Sequence, residues 1–232
     1  MFKVIMQTVL FFLRTARTLI RGQRGRIRRQ QDIRAVVDRV PVGAVAVDVG
    51  AHGGEWTFAL AEQVGPTGHV YAFEPSPEYA PVLIWTCHLL GLRNVTIVPF
   101  AVSSRVRIAA FRTVDQTGRR LTGESQLALS SEAGDTSVLA VGLDDVLPLF
   151  PRLAETRFVK IDVEGAEMEV LKGASKVIGS SAEIVICEIE SRHYARRGGD
   201  PNEVFTKFRS FGLLPDPSNH GNNTLFVRTH SS

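Results

Sequence analysis

Apolar positions along the chain fall into two patterns: short continuous runs, and longer stretches with helical spacing. Ala44 to Val49, His69 to Phe73, Val95 to Phe100, Phe158 to Asp162 and Glu183 to Glu190 are the continuous kind. Runs of this length, bounded by Gly or Pro, suit parallel strands covered on both faces. Between them, Glu55 to Val64 is closed by Gly65-Pro66, and Glu78 to Leu90 is followed by Gly91. Met168 to Leu171 stops at Gly173, and Pro201 to Phe211 at Gly212. These are helix signals with glycine just past the last turn. Ile33 to Val40 reads as a helix or turn feeding Pro41, Arg107 to Arg112 as an added strand, and Val138 to Leu143 as a short strand. Asp144 to Phe150 reads as a short helical turn. Leu213-Leu214 and Leu225 to Arg228 form a closing antiparallel hairpin around the turn Asp216 to Asn223. Strands alternating with helices predict an α/β fold, a mostly parallel doubly wound sheet with a C-terminal antiparallel hairpin. No internal repeat and no second globular domain is visible.

Two stretches break this alternation. Thr113 to Asp135 is polar, rich in Gly, Ser and Thr, and long for a plain connection, which suits a mobile substrate lid. Residues 1–31 form an arm. Its first 30 residues hold eight basic side chains and no acid, leaving 19 of the chain's 27 basic residues against all 24 acidic ones. The formal charge of +3 therefore belongs to the arm, and the domain over residues 32–232 is net acidic. The apolar run Val4 to Leu13 is shorter than the roughly 20 residues that span a bilayer. It also lacks a following Ala-x-Ala cleavage site. An amphipathic helix on anionic lipid and a helix packed on the domain both fit. Nucleic acid is not an expected partner, since the arm has no recognised reading motif. Cys87 and Cys187 sit in apolar patterns and read as buried free thiols of a reducing compartment, with no zinc-type cluster. A cytoplasmic location is expected, with the arm as a peripheral contact on the inner face of the membrane.

The chemistry starts at Val45 to Thr57, where a β-branched run ends in Asp48, breaks into glycines and resumes as a helix. Glycines there let backbone approach a ligand, and the helix start directs free N–H groups into the gap. The spacing is Asp48-x-Gly50-x-x-Gly53. A dinucleotide fingerprint has glycine in the first place. A strand-end acid repels a pyrophosphate and suits a cationic ligand such as S-adenosylmethionine, which speaks against a nicotinamide-dependent oxidoreductase. Glu74 lies 24 positions after Gly50, right behind Val70 to Phe73, where an acid meets a ribose hydroxyl pair. Pro75 and Pro77 pin the loop that follows.

Four blocks then resemble FkbM-type methyltransferases. They are Val47-Asp48-Val49-Gly50-Ala51; Phe73-Glu74-Pro75-Ser76-Pro77; Ala101-Val102-Ser103; and Lys160-Ile161-Asp162-Val163-Glu164-Gly165-Ala166-Glu167 with Val170-Leu171-Lys172-Gly173. The resemblance runs from about Val45 to the C-terminus. It implies a Rossmann-like class I methyltransferase, S-adenosylmethionine as methyl donor, and a hydroxyl acceptor on a small molecule, sugar, glycolipid or polyketide. The family commonly has Asn where this chain has His52, and Thr86 and Leu90 stand where asparagines are usual. The expected cofactor-binding set is Asp48, Gly50, Ala51, His52, Gly53, Gly54, Thr57, Glu74, Pro75, Ser76, Ala101 and Val102.

An alcohol must lose a proton as it attacks a methyl group, so a base or metal is useful. Asp162 ends a core strand and is the first candidate as base, substrate acceptor or metal ligand, with Glu188 at the end of the next strand. Paired acids raise one another's pKa. His193, read as a loop residue after that strand, is the third catalytic candidate. Glu164 could join Asp162 and Glu188, and it equally fits a helix N-terminal acid; Glu167 fits a surface or capping residue. A divalent metal at Asp162 and Glu188 stays open. A nucleic-acid N-methyltransferase would carry Asp/Asn-Pro-Pro-aromatic where this chain has Asp162-Val-Glu-Gly. The remaining alternative is a membrane-associated protein that keeps the fold without turnover.

Overall fold

Five consecutive buried residues make β1, Val45–Val49, the centre of the main sheet. The computed structural model describes residues 32–114, 117, 121, 126–127, 134–218 and 223–229. The expected arm with its lipid contact, and most of the expected lid, lie outside these residues. The chain divides into two units, Met1–Arg39 and Val40–Ser232. In the first, residues 32–37 are helical.

Strands β2 (His69–Phe73), β3 (Val95–Val98), β4 (Ala101–Val102), β5 (Arg107–Arg112), β6 (Gln126–Leu127) and β7 (Thr136–Val141) follow β1 in order. After them come β8 (Thr156–Ile161), β9 (Ile184–Glu188), β10 (Leu213–Pro215) and β11 (Asn223–Arg228). The helices are α1 (Glu55–Val64), α2 (Tyr79–Leu89), α3 (Glu167–Gly173), α4 (Ser175–Ser181), α5 (Ser191–Arg197) and α6 (Pro201–Ser210). Seven strands form one sheet in the order β10-β11-β9-β8-β1-β2-β3. β1 pairs in parallel with β2 and β8, β2 with β3, and β8 with β9. Only the β10–β11–β9 end is antiparallel, which is the expected hairpin.

Pleating sends Val45, Val47 and Val49 into a core shared with Val170 and Leu171 of α3, Val177 and Ile178 of α4, and Val204 and Phe208 of α6. On the other side, Ala72 of β2 packs with Leu83 of α2 and Phe58 of α1. Helices thus cover both faces, and the continuous apolar runs of the sequence follow from that burial. Cys87 and Cys187 are buried and free, as their patterns imply.

β3 stops earlier than its apolar run. Pro99 has no N–H to give a ladder, and Phe100 turns back to donate to the Val98 carbonyl at 2.8 Å. The chain then crosses to a second, four-stranded sheet of order β4-β7-β5-β6. Its core holds Ala101, Phe111, Leu127 and Val138. Asp144 to Phe150 makes successive turns, followed by a 3₁₀ segment at Pro151–Glu155.

Two helices were not legible beforehand. α4 is capped from a distance: the Asp144 carboxylate accepts from the N–H of Lys176 at 2.9 Å and of Val177 at 3.1 Å. α5 is short and mostly polar, Ser-Arg-His-Tyr-Ala-Arg-Arg, so it offers no apolar period. The expectation that His193 sits in a loop is corrected accordingly: it lies in the first turn of α5. At the other end of the fold, the Arg228 guanidinium donates to the carbonyls of Ile178 and Gly179 in the last turn of α4, of Ala182 just past it and of Phe211 just past α6. Those are groups a helix end leaves without partners.

Gly173, in the last turn of α3, touches the Ser103 carbonyl so closely that an added Cβ would stand 1.9 Å from that oxygen. In an ordinary helix, Gly→Ala stabilises by about 1 kcal/mol. Here the sign reverses. Gly173→Ala is expected to destabilise by about 1–3 kcal/mol through overpacking against backbone, read as a lower urea midpoint; an unchanged or raised midpoint would show that the β4–α3 contact yields freely.

Candidate active site

The parallel strands β1, β2, β8 and β9 all end at one edge of the sheet, so Gly50, Glu74, Asp162 and Glu188 meet there from four distant stretches of sequence. An open cleft lies at this edge. Val49, Gly50, Glu74 and Pro75 line one side, Asp162, Val163 and Ala166 another, and Ala101, Val102, Phe111 and Leu127 close it from the second sheet.

Beneath the cleft floor sits a buried ionic cluster. Register places Asp48 of β1 beside Lys160 of β8. Asp48 is 0% and Lys160 3% exposed. The Lys160 ammonium donates to the Gly50 carbonyl at 2.5 Å, and it lies 3.4 Å from Asp48 Oδ1 and 3.5 Å from Asp162 Oδ2. The Thr57 hydroxyl of α1 donates to Asp48 Oδ2 at 2.6 Å. Burial alone would favour a neutral lysine. The Asp162 and Asp48 carboxylates outweigh it and hold the ammonium's pKa above its ordinary value.

Gly50 has φ +79, and a Cβ on it would stand 2.0 Å from the Asp162 carbonyl. The close backbone approach expected at this glycine is therefore to the loop after β8. The next bend uses His52 at φ 46 and Gly54 at φ 84. Histidine is among the residues enriched in the left-handed region. This conformation aims the His52 N–H at Glu74 Oε2, 2.6 Å away. The other Glu74 oxygen accepts from the Ser76 N–H at 2.8 Å. Burial pushes the Glu74 carboxyl up to about 6, against the lowering effect of those two N–H donors. Each oxygen keeps a further lone pair for a ligand hydroxyl.

Asp162 and Glu188 are hydrogen-bonded to each other. Burial raises the Asp162 pKa, yet Lys160 and the Glu188 hydrogen bond pull it below its ordinary value. Glu188 goes the other way: burial, then the Asp162 charge and the hydrogen bond to it, lift it to about 8. At neutral pH the pair therefore shares one proton, carried on Glu188. Glu164, at φ 55 in the turn after Asp162, brings a third carboxylate oxygen to within 4.8 Å of these two. Among the described residues this trio is the grouping that could receive a hard cation. Behind it, His193 Nε2 lies 3.0 Å from Glu164 Oε2 and 3.8 Å from Glu190 Oε2.

The expected site residues thus take different places. Gly50, Glu74, Pro75, Ala101, Val102 and Asp162 line the cleft. Asp48 and Thr57 are wholly buried against each other, so Asp48 spends its charge on Lys160 rather than on a cleft ligand. Gly54 is needed for packing, because a Cβ there would press on Leu83 and Phe58. Ala51 also packs with Leu83. Ser76 is buried, and its hydroxyl accepts from the N–H of Glu78 at 3.2 Å and of Tyr79 at 3.4 Å, at the entry to α2. Gly53 has open space where a side chain would be. The exposed His52 ring rests on Tyr79, with centroids 4.1 Å apart. Glu188 joins Asp162, and His193 reaches the pair only by way of Glu164.

Other contributors had no role assigned from the sequence. Lys160 stands at the head of the Lys160–Glu167 block, but nothing in its local spacing names its partners. Of the two readings of Glu167, the surface one is corrected, since the residue is buried: its carboxylate accepts from the Gly165 N–H at 2.9 Å, in the turn before α3, and from the Tyr194 hydroxyl of α5. Burial and that carboxylate push the Tyr194 pKa well up. Arg197 of α5 donates to the Leu127 carbonyl at 2.7 Å, tying the helix to the cleft wall.

Comparison with known proteins bears on this arrangement. A family model, the methyltransferase FkbM domain, matches residues 48–214. The crystal structure of methyltransferase FkbM from Methylobacillus flagellatus is similar, with TM-score 0.55 and 14% identity over 80% of this chain and 44% of that one. This chain therefore spans less than half the length of that protein. A methyltransferase from Geobacter sulfurreducens matches with TM-score 0.51 and 13% identity, over 93% of this chain and 88% of that one. Precorrin-6y C5,15-methyltransferase from Geobacter metallireducens matches with TM-score 0.50 and 15% identity, over 84% and 87%. At such identities the likeness is one of fold. No curated protein sequence matches the chain.

The raised Glu188 pKa has a consequence for stability. An unfolded chain releases this proton near 4.5, the fold near 8. Stability from the shared proton is thus complete below about 4.5 and declines as pH rises through about 8. Glu188→Gln keeps a donor toward Asp162 and has no proton to lose. The variant is expected to unfold at a higher urea concentration than the wild type near pH 9, with the gap closing toward pH 4; parallel curves across that range would contradict the shared proton.

Proposed function

The chain belongs to the FkbM methyltransferase family, and from that premise we propose that it is an S-adenosylmethionine-dependent O-methyltransferase. Its acceptor is a hydroxyl on a small molecule, sugar, glycolipid or polyketide-type compound. The observation that carries the O-methyl reading is the proton-sharing pair of Asp162 and Glu188 at the cleft.

The residues present suit the cofactor. Glu74 offers a fixed carboxylate with free lone pairs, which matches a vicinal diol. The open side of Gly53 leaves backbone uncovered for a ligand. Ala101 and Val102 supply an apolar surface at the second sheet. When bound, S-adenosylmethionine supplies a methyl group on a sulfonium, which leaves as a neutral thioether.

Asp162 orients the acceptor by accepting its hydroxyl hydrogen bond. As the oxygen–methyl bond forms, the hydroxyl proton passes to the Asp162–Glu188 pair. The pair is a strong base only after it has given up its shared proton, that is, at and above about pH 8. Lys160 stays charged beneath the pair and keeps Asp162 ionised. Phe111 and Leu127 present an apolar wall to the acceptor.

The reading is tested first by calorimetry with S-adenosylmethionine and its demethylated product. Wild type should bind both. Glu74→Ala, which removes charge-assisted hydrogen bonds of about 1.5–3 kcal/mol each, should bind at least about 100-fold more weakly. A folded wild type that binds neither ligand would refute the assignment.

Once an acceptor is identified, the rate at saturating cofactor should rise with pH through a midpoint near 8 and level off above it, and Glu188→Gln should flatten that rise. A profile unchanged in the variant would remove the pair from the proton transfer and leave cofactor binding intact.

A further inference from the structure

The acid that the sequence offers to a cationic ligand, Asp48, is buried against Lys160 and Thr57. Asp162 is differently placed. It lines the cleft, and its side chain keeps 35% of its surface exposed. Among the described residues that line the cleft, Glu74 and Asp162 are the ionisable ones, and both are acids. Lys160 is shared between two carboxylates, Asp48 at 3.4 Å and Asp162 at 3.5 Å. The three groups together therefore keep one negative charge, and Asp162 is the member that presents it to the cleft.

The reaction fixes how near a sulfonium comes to that charge. In the proposed transfer, Asp162 accepts a hydrogen bond of about 2.7 Å from the acceptor hydroxyl. In-line attack holds that oxygen about 3 Å from the methyl carbon, and the sulfur is one bond further on. Sulfonium and carboxylate then stand within about 8 Å of each other, inside one Debye length at physiological salt. At an effective dielectric between that of a protein surface and that of water, opposite unit charges about 7 Å apart shift an affinity by about tenfold. After transfer the S–C bond has broken with its electron pair left on sulfur, and the O–C bond has formed. The hydroxyl proton has passed to the Asp162–Glu188 pair. The cofactor has lost its positive charge and the pair one negative charge, so both sides of the attraction are gone.

We propose that the Asp162 carboxylate selects the charged methyl donor over its neutral demethylated product, so that the transfer itself loosens the hold on the spent cofactor. This selection rests on the methyl-transfer reading of the cleft. Glu74 meets the ribose diol, which donor and product have in common, and so governs how tightly either binds. Asp162 governs the difference between them.

The test is calorimetry at pH 7 on the full chain with three ligands: S-adenosylmethionine, its demethylated product, and sinefungin, in which a carbon bearing an ammonium group replaces the methylsulfonium. The two cationic ligands are expected to bind wild type about tenfold more tightly than the product. Asp162→Asn should weaken both of them about tenfold and leave the product within about twofold of its wild-type affinity. Retained binding of the product also shows that the variant keeps its fold and its ribose clamp. Asp162→Glu, which keeps the charge, should keep the preference. Equal affinities of wild type for all three ligands would leave the cofactor assignment standing and overturn the selection by charge. So would an Asp162→Asn variant that binds the product normally and still prefers the cations, or an Asp162→Glu variant that binds the product and has lost the preference. A folded wild type that binds none of the three would remove the cofactor assignment itself, and the proposal with it.

Discussion

A single buried lysine fixes the electrostatics of the whole cleft. Lys160 enters the sheet between two carboxylates, Asp48 and Asp162, that belong to adjacent parallel strands. Removing an ammonium from water costs several kcal/mol, and only close opposite charge and good hydrogen-bond geometry repay it. Here the repayment comes from two acids and the Gly50 carbonyl. The cluster binds the end of β1 to the end of β8 and fixes where the Gly50 loop departs. It also decides the state of the acids above it. With Lys160 below, Asp162 stays ionised; with Asp162 ionised beside it, Glu188 keeps its proton. Two chemically similar groups are thereby separated into an acceptor and a donor, the condition under which one can orient a hydroxyl while the pair takes up its proton.

Much of this frame was visible in the chain. The parallel strands announce themselves because burial on both faces demands continuous apolar runs, and the position of Glu74 follows from the length of a strand–helix–strand unit. The unread features share a different physical origin, since their partners lie far away in sequence. Lys160 meets an acid 112 positions earlier, Glu167 meets Tyr194, and α4 is capped by Asp144. Local spacing carries no record of such pairings. Asp48 shows the same limit in another way. Its position at a strand end was legible, but whether its charge faced a ligand or a buried cation depended on what β8 placed beside it.

His52 separates two things that a motif letter merges. The position requires a left-handed backbone, which Asn and His tolerate better than most residues. What that backbone contributes is an N–H aimed at Glu74. The side chain is left outside, against Tyr79. A histidine at this position therefore keeps the part that fixes Glu74, while its exposed ring adds a small lowering effect on the Asp162 pKa, behind that of Lys160.

The second sheet exists because Pro99 ends β3 and the chain is turned away from the main sheet at the cleft edge. That departure supplies the far wall, Phe111 and Leu127, which the parallel sheet alone could not provide. A wall built on a two-residue strand needs further support, and α5 gives it. Tyr194 holds this helix to Glu167 at the start of α3, and Arg197 carries it across to the Leu127 carbonyl. Gly165 is what allows the approach, since a Cβ there would meet Arg197 and His193 at about 3 Å. The turn that positions Asp162 and Glu164 is thus clamped by the same helix that steadies the cleft wall. A short polar helix with no apolar period of its own couples the acid cluster to the shape of the pocket in front of it.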